Sequence, residues 1–349
     1  MNGRYGNSTN YKGSTFLQDD KTAQDWARLL AAYRTPSVVR SSWEIAVTLV
    51  LYVGLWAAAW AVLEYSKLLA VLISCVNALI LLRLFCIQHD CGHGTLYKNK
   101  PLNDWIGRVL GVLTLTPYDV WKRSHAIHHG ASGNLCKRGI GDIDTLTIAE
   151  YRALSLGRRI RYRLYRHPVT LFVIGPAYLF FLKNRLPFGF MTHLRFWVSA
   201  MVSNIALAVC IAVIVYFGGL DPILFIFIPT TLLAAMIGVW LFYVQHQFEH
   251  TYWETNPNWN LHDAALDGSS HYVLPRLLQW ATANIGIHHV HHLSSRIPFY
   301  RLSEVLRDHP GLAHMNILTV STSLKKANLH LWDETNKRLV SFSQVSGKA

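Results

Sequence analysis

Apolar residues in this chain run in long unbroken blocks, without the alternation of a half-buried strand or the narrow stripe of a soluble helix. Four blocks approach the roughly 20 residues that a membrane-crossing helix needs: about 43–63, 68–87, 196–217 and 222–244. Only Asn77 and Arg83 interrupt the second. Two further stretches are too short to span. Residues 105–117 predict an interfacial or buried helix. Residues 169–182 contain Gly175 and Pro176 and predict a lipid-facing interfacial segment, with a re-entrant hairpin as the alternative. Glu64, Tyr65, Ser66 and Lys67 join the first two blocks, and Gly218, Gly219, Leu220 and Asp221 join the last two. The expected fold is therefore all-α and polytopic: four transmembrane helices in two hairpins, under a cytoplasmic helical cap.

Composition agrees. Charged residues make up 15% of the chain and hydrophobic residues 51%, against about 25% charge in soluble proteins. The net charge of +13 raises the question of nucleic acid, but the basic residues flank the apolar blocks. They gather between the two pairs, as Lys98, Lys100, Arg108, Lys122, Arg123, Lys137, Arg138, Arg158, Arg159, Arg161, Arg163 and Arg166. The positive-inside rule accounts for this, so no nucleic-acid partner is expected, and both termini and the central loop are assigned to the cytoplasm. Three regions follow: a polar N-terminal segment, 1–40; a membrane domain, 41–310; and a cytoplasmic tail, 311–349. Met1–Thr22 has no apolar core of a signal peptide and is expected to be disordered. Five cysteines without a C-x-x-C pair suggest reduced thiols.

The 18 histidines carry the chemistry. His89 and His93 frame HDCGH. His125, His128 and His129 form HAIHH. His246 and His250 frame HQFEH. His288, His291 and His292 lie in HHVHH with His289 between them. Residues three and four apart share one face of a helix, so each motif presents imidazoles together. Neutral imidazole suits iron, copper and zinc. All four motifs fall on the same predicted membrane face, next to the exits of the spans. His167, His193, His262, His309, His314 and His330 stand alone and read as surface or hydrogen-bonded residues. A zinc peptidase would need only about three ligands and would leave two motifs unexplained. A metal transporter would place its ionisable groups within the spans, which here hold almost no histidine.

HDCGHGTLY (89–97), SHAIHHG (124–130) and NIGIHHVHHLSSRIPFYRL (284–302) resemble the three histidine boxes of membrane fatty acid desaturases, most closely bacterial and plant-type acyl-lipid enzymes of the delta-12 type. GDIDTLTIAEY (141–151) and VQHQFE (244–249) resemble stretches of bacterial members, which points to a bacterial inner membrane. The resemblance implies a non-haem di-iron centre on His89, His93, His125, His128, His129, His246, His288, His291 and His292, with His289 as the extra residue of the third box. His250 departs from the family pattern, which leaves it as an alternative ligand or a group behind the ligands. Asp90, Asp119, Asp142 and Glu249 are candidates to orient the ligands.

An unactivated methylene offers no acidic proton and no leaving group, so O2 activated at a metal centre is the fitting chemistry, with the protein supplying position and dryness. Desaturation, hydroxylation, ketolation and sphingolipid oxidation share the boxes, and desaturation is the leading expectation. Tyr118, Trp121, Trp105 and Trp240 are candidate linings of an acyl tunnel. No dinucleotide fingerprint is present, and His309-Pro310-Gly311 reads as a turn and not as a haem domain. The expected partners are thus a fatty acyl lipid, membrane lipids, and a separate electron donor, a ferredoxin or a small b-type cytochrome.

Overall fold

The computed structural model describes residues 21–346; of the segment Met1–Thr22, expected to be disordered, residues 1–20 lie outside them, while Thr22 is ordered as a helix cap. Thr22 caps α1 (Ala23–Leu29) through a capping box with Asp25. Ser37 caps α2 (Val38–Leu63) and Ser66 caps α3 (Lys67–His93). Asn99 caps α4 (Lys100–Leu113), and α5 (Tyr118–Ala131) follows. After β1 (Leu146–Thr147) come the short α6 (Ile148–Ala153) and α7 (Leu156–Arg166). A helical arm, 170–182, has two π turns around the single-turn α8 (Gly175–Ala177). α9 (Leu194–Gly218) leads through Gly219, at φ +65°, into a run from Ile223 to His246, whose first turn is π and whose remainder is α10 (Ile228–His246). Beyond it lie α11 (Leu261–Asp267), β2 (His271–Val273), α12 (Arg276–Ala281), α13 (His288–Leu293), β3 (Ile317–Thr319), β4 (Leu331–Asp333) and β5 (Arg338–Val340).

Four of these helices are long and apolar enough to cross a membrane: Val38–Leu63, Lys67–His93, Leu194–Gly218 and Ile223–His246. Half of the apolar window of α3 is buried, but only 11% of those of α2 and α9. α3 is therefore the inner helix, while α2 and α9 present Val50, Val53, Val202, Ile205 and Val209 outward. The two short links lie together, because Lys67 pairs with Asp221 at 2.8 Å. The remaining elements form a cap at the opposite end, with a core of Ile287, Val290, Ile297, Phe299, Leu302, Val305 and Leu312. Two small sheets tie the cap to itself: β2 pairs parallel with β3, and β4 pairs parallel with β1 and antiparallel with β5.

The structure refines the sequence reading in four places. HDCGH does not follow the second span; it forms the last turns of α3, which stops only at Gly94 in the left-handed region (φ +69°). The span runs on because the cap surrounds its polar end, burying Gln88, His89 and Asp90. The apolar stretch near 105–117 is α4, a helix that buries Asn103, Gly107, Leu110 and Gly111 and exposes Trp105 and Val109. The arm does not lie flat: Phe172 packs on Trp240 and Tyr243 near one end of α10, and Phe181 meets Phe227 toward the other. That is the course of the re-entrant alternative. His309-Pro310-Gly311 opens a one-turn helix, Pro310–Ala313, not a free turn.

One charged cluster joins the spans to the cap. Arg83 of α3 pairs with Glu44 of α2, donates to Thr48 at 3.1 Å and to the Trp280 carbonyl, and lies 4.1 Å over the Trp280 ring. Arg40 meets the other Glu44 oxygen at 2.7 Å. An unpaired charge at such depth is expensive, so each partner depends on the other. Arg83→Leu is expected to destabilise the fold by about 3–5 kcal/mol, because it leaves the buried Glu44 carboxylate with only the half-exposed Arg40 as a charged partner. Arg83→Leu with Glu44→Leu should regain part of that loss. Thermal unfolding in detergent would show this; a double variant no more stable than the single one would contradict it.

Candidate metal centre

Four helices bring nine histidines together in two sets. His89, His93, His125, His129 and His291 form the first, and His128, His246, His288 and His292 the second. Within each set, one ring nitrogen from every histidine lies within 4.8 Å of those of the others. The helical period explains the division. His89 and His93, His125 and His129, and His288 and His292 are each four apart and share a face. His128 stands about 100° round the helix from His129, so α5 serves both sets. α13 does the same, giving His291 to the first set and His288 and His292 to the second. The single direction expected for HAIHH and for HHVHH is thus resolved into two. The sets adjoin: the rings of His129 and His292 stack at 4.0 Å.

The chemistry of the donors decides what the sets can hold. His128 Nδ1 faces the Asp142 carboxylate, and His246 Nδ1 faces the Gly268 carbonyl at 3.1 Å. Both partners can only accept, so both rings carry their proton on Nδ1. Their bare Nε2 lone pairs then confront each other at 3.2 Å, and His288 Nε2 stands 2.9 Å from that of His246. In the first set, His93 Nε2 lies 3.0 Å from His125 Nε2, which lies 3.1 Å from His129 Nε2. His129 Nε2 lies 3.3 Å from His291 Nε2. The facing lone pairs of His128 and His246 repel unless a cation stands between them. Nitrogens bound at about 2.0–2.1 Å to one ion sit roughly 3 Å apart, which is the spacing seen. The residues present therefore fit a metal ion in each set. The buried, unpartnered Nε2 atoms of His89 and His292 fit the same reading.

Packing keeps the rings neutral and fixed. Burial first, and the neighbouring imidazoles second, hold His125, His129, His288, His291 and His292 well below the usual histidine range. Trp121 stacks on His125 at 4.8 Å. It reaches that position because Gly92 has no side chain; a Cβ there would lie 2.8 Å from the indole. Phe242 packs on His128 and His246 at 5.1 and 5.3 Å. A narrow cleft lined by Asp142, Ile143, Phe242, His246 and Trp253 opens beside the second set.

Among the four acids named from sequence, two act on the site. Asp142 bonds His128. Asp90 lies 3.3 Å from His89 Nδ1 and accepts from the Phe299 backbone N–H at 2.7 Å. Asp119 instead pairs with Arg108 and Arg195, and Glu249 with Lys326. His250 belongs to neither set; it is exposed beside Glu249, Arg338 and Gln344. His289 turns away and its Nε2 donates to the Leu312 carbonyl at 2.8 Å. Of the aromatic residues considered for a tunnel, Trp121 touches the site, Trp240 packs on the arm, Tyr118 bonds Asp104, and Trp105 is exposed under Arg108. Sequence gave no sign of Gly268, whose backbone oxygen orients His246, because a carbonyl carries no residue signature.

The model of the family described as "Fatty acid desaturase" matches residues 66–323, which include all nine histidines. The chain belongs to the fatty acid desaturase family. It is similar to a protein of Bacillus subtilis named "Fatty acid desaturase", 42% identical over 317 residues, with 90% of each chain covered. It is more distantly similar to the "sn-1 acyl-lipid omega-3 desaturase (ferredoxin)" of Synechocystis, 27% identical over 284 residues, covering 76% of this chain and 74% of the relative. With four helices able to cross a membrane, it is an integral membrane oxidoreductase of the acyl-lipid desaturase kind.

The buried rings link pH to stability. In the metal-free fold His125, His129, His288, His291 and His292 stay neutral, whereas in the unfolded chain they take up protons below about pH 6.5. The unfolded state then binds more protons, so stability is present above that pH and is lost as pH falls through it. The unfolding midpoint of the metal-free protein should drop steeply between neutrality and mild acid. A flat profile would show that the rings are not held neutral.

Proposed function

We propose that the chain is an O2-dependent di-iron desaturase that inserts a cis double bond into the acyl chain of a membrane lipid, at the delta-12 (omega-6) position that its histidine boxes suggest. The single observation that carries the metal reading is the pair of bare lone pairs on His128 and His246, 3.2 Å apart in a dry site. His89, His93, His125, His129 and His291 would hold one iron, and His128, His246, His288 and His292 the other. Bound there, the irons supply the activation of O2 that an unreactive C–H bond requires.

The rest is done by the chain's own residues. Asp142 and the Gly268 carbonyl fix the tautomers of His128 and His246 and aim their Nε2 lone pairs inward. Asp90 does the same for His89 while also holding the backbone at Phe299. Trp121 and Phe242 cover the rings with apolar surface, which excludes water. The overall change is balanced: a –CH2–CH2– unit, O2, two electrons and two protons give –CH=CH– and two waters. The electrons come from a separate donor, a ferredoxin or a small b-type cytochrome; the word ferredoxin in the Synechocystis relative's name favours the first. The cap, both termini and the metal site would face the cytoplasm of a bacterial inner membrane, as the basic flanks of the spans require. A second position, omega-3, is favoured by the names of several relatives, among them that of Synechocystis.

Expression in a host without polyunsaturated lipids, followed by mass spectrometry of fatty acid methyl esters, tests the activity. A new double bond is expected with the intact chain and none with His128→Ala, and its position chooses between delta-12 and omega-3. Unchanged fatty acids from a folded, iron-loaded protein with a working reductant would refute the desaturase reading. Asp142→Asn is expected to weaken metal retention in the four-histidine set about 10–100-fold. Iron counted after exposure to a chelator should fall toward one per chain; two retained irons would show that Asp142 does not support that set.

A further inference from the structure

α7 carries an apolar stripe on its exposed face. Leu156, Ile160 and Leu164 recur every fourth residue and share one face, and they are 74%, 51% and 61% exposed. The opposite face is packed: Tyr162 and Arg166 are buried. Arg158 and Arg161 are exposed and make no hydrogen bond or ion pair with another described residue. Arg159 and Arg163, by contrast, bond the Leu154 carbonyl at 3.0 Å and the Tyr151 hydroxyl at 2.7 Å. Beyond His167 the chain turns into the arm, whose Val169, Val173, Ile174, Tyr178 and Leu182 are also exposed. The aliphatic stripe of α7 thus continues into apolar surface that runs alongside α10.

We infer that α7 lies in the headgroup layer of an anionic bilayer, with Leu156, Ile160 and Leu164 at the acyl boundary and Arg158 and Arg161 on lipid phosphates. A short helix with an apolar stripe and basic flanks belongs at such an interface. The stripe itself faces away from the cap. Free guanidinium groups complement phosphate, and the exposed apolar residues Val173, Ile174, Tyr178 and Leu182 of the arm follow the stripe along the chain.

The inner face of α7 makes this binding matter to the metal centre. Arg166 donates to the Asp144 carbonyl at 3.1 Å, Thr145 Oγ1 at 3.2 Å, Gln247 Oε1 at 3.0 Å and the Leu329 carbonyl at 2.8 Å. The Tyr165 hydroxyl accepts from the Asp144 N–H at 3.0 Å. Asp142, which orients His128, is two residues before Asp144, and Gln247 follows His246. Lipid that orders α7 therefore orders the segment behind the four-histidine set. This coupling rests on the metal reading above, but the lipid contact does not, and the two are read separately.

The test is hydrogen–deuterium exchange of the full, metal-loaded chain in nanodiscs of phosphatidylcholine alone or mixed with phosphatidylglycerol. Exchange in 156–166 is expected to slow about tenfold in the anionic bilayer, within reach of two arginine–headgroup contacts, and to slow to a lesser degree in 141–147. Added salt should reverse the effect. Arg158→Gln with Arg161→Gln should abolish it, and exchange in the four spans serves as the control for folding. Equal exchange in both bilayers, or protection that survives in the double variant, would overturn the inference. Protection that requires an acidic ferredoxin and not acidic lipid would overturn it too, assigning the surface to the electron donor. Slowing in 156–166 without any in 141–147 would leave the lipid contact standing and remove the coupling.

Discussion

Bare imidazole lone pairs that face each other across about 3 Å are the constraint around which this molecule is arranged. They are unstable without a cation, and they exist only if every ring is stripped of water and denied a proton. Both conditions need surroundings that a few residues cannot supply. The last turns of α3 and α10 deliver His89, His93 and His246 from the membrane side, while α5 and α13 deliver the other six from the cap. None of these helices could be moved without separating a pair of nitrogens.

The polar groups behind the rings do a second job. Asp142, Asp90 and the Gly268 carbonyl choose which nitrogen of each ring is bare. Each is itself anchored farther out: Asp90 by the Phe299 backbone, and the Asp142 segment by Arg166 and Tyr165 through Asp144. Arg83 performs a similar task at the membrane end, tying α2 and α3 to Trp280 of the cap. These charged groups lie where helices from the spans meet elements of the cap, and each is ion-paired or hydrogen-bonded, because a buried charge without partners would cost more than the fold can offset.

The spans and the histidine motifs were legible in the sequence because each is a local property. A stretch of about 20 apolar residues is a membrane helix by length alone, and histidines three or four apart meet on one face whatever lies around them. All four spans and all nine converging histidines could be named on that basis, the latter with the help of the family likeness. His250 shows the limit. It shares the four-residue spacing from His246, but α10 ends at His246 and the chain leaves the helix, so the spacing no longer places the two on one face.

What tertiary structure alone decided was the grouping. Sequence could not divide HAIHH and HHVHH between two sets, since the division depends on where α3 and α10 stand around α5 and α13. Nor could it choose Asp142 and Asp90 over Asp119 and Glu249, because all four are acids near a motif and differ only in what they touch. Gly268 and the packed inner face of α7 were equally hidden. The physical reason is common to them all: periodicity fixes which residues share a face of one element, whereas the partner that face meets is set by contacts between elements distant in the chain.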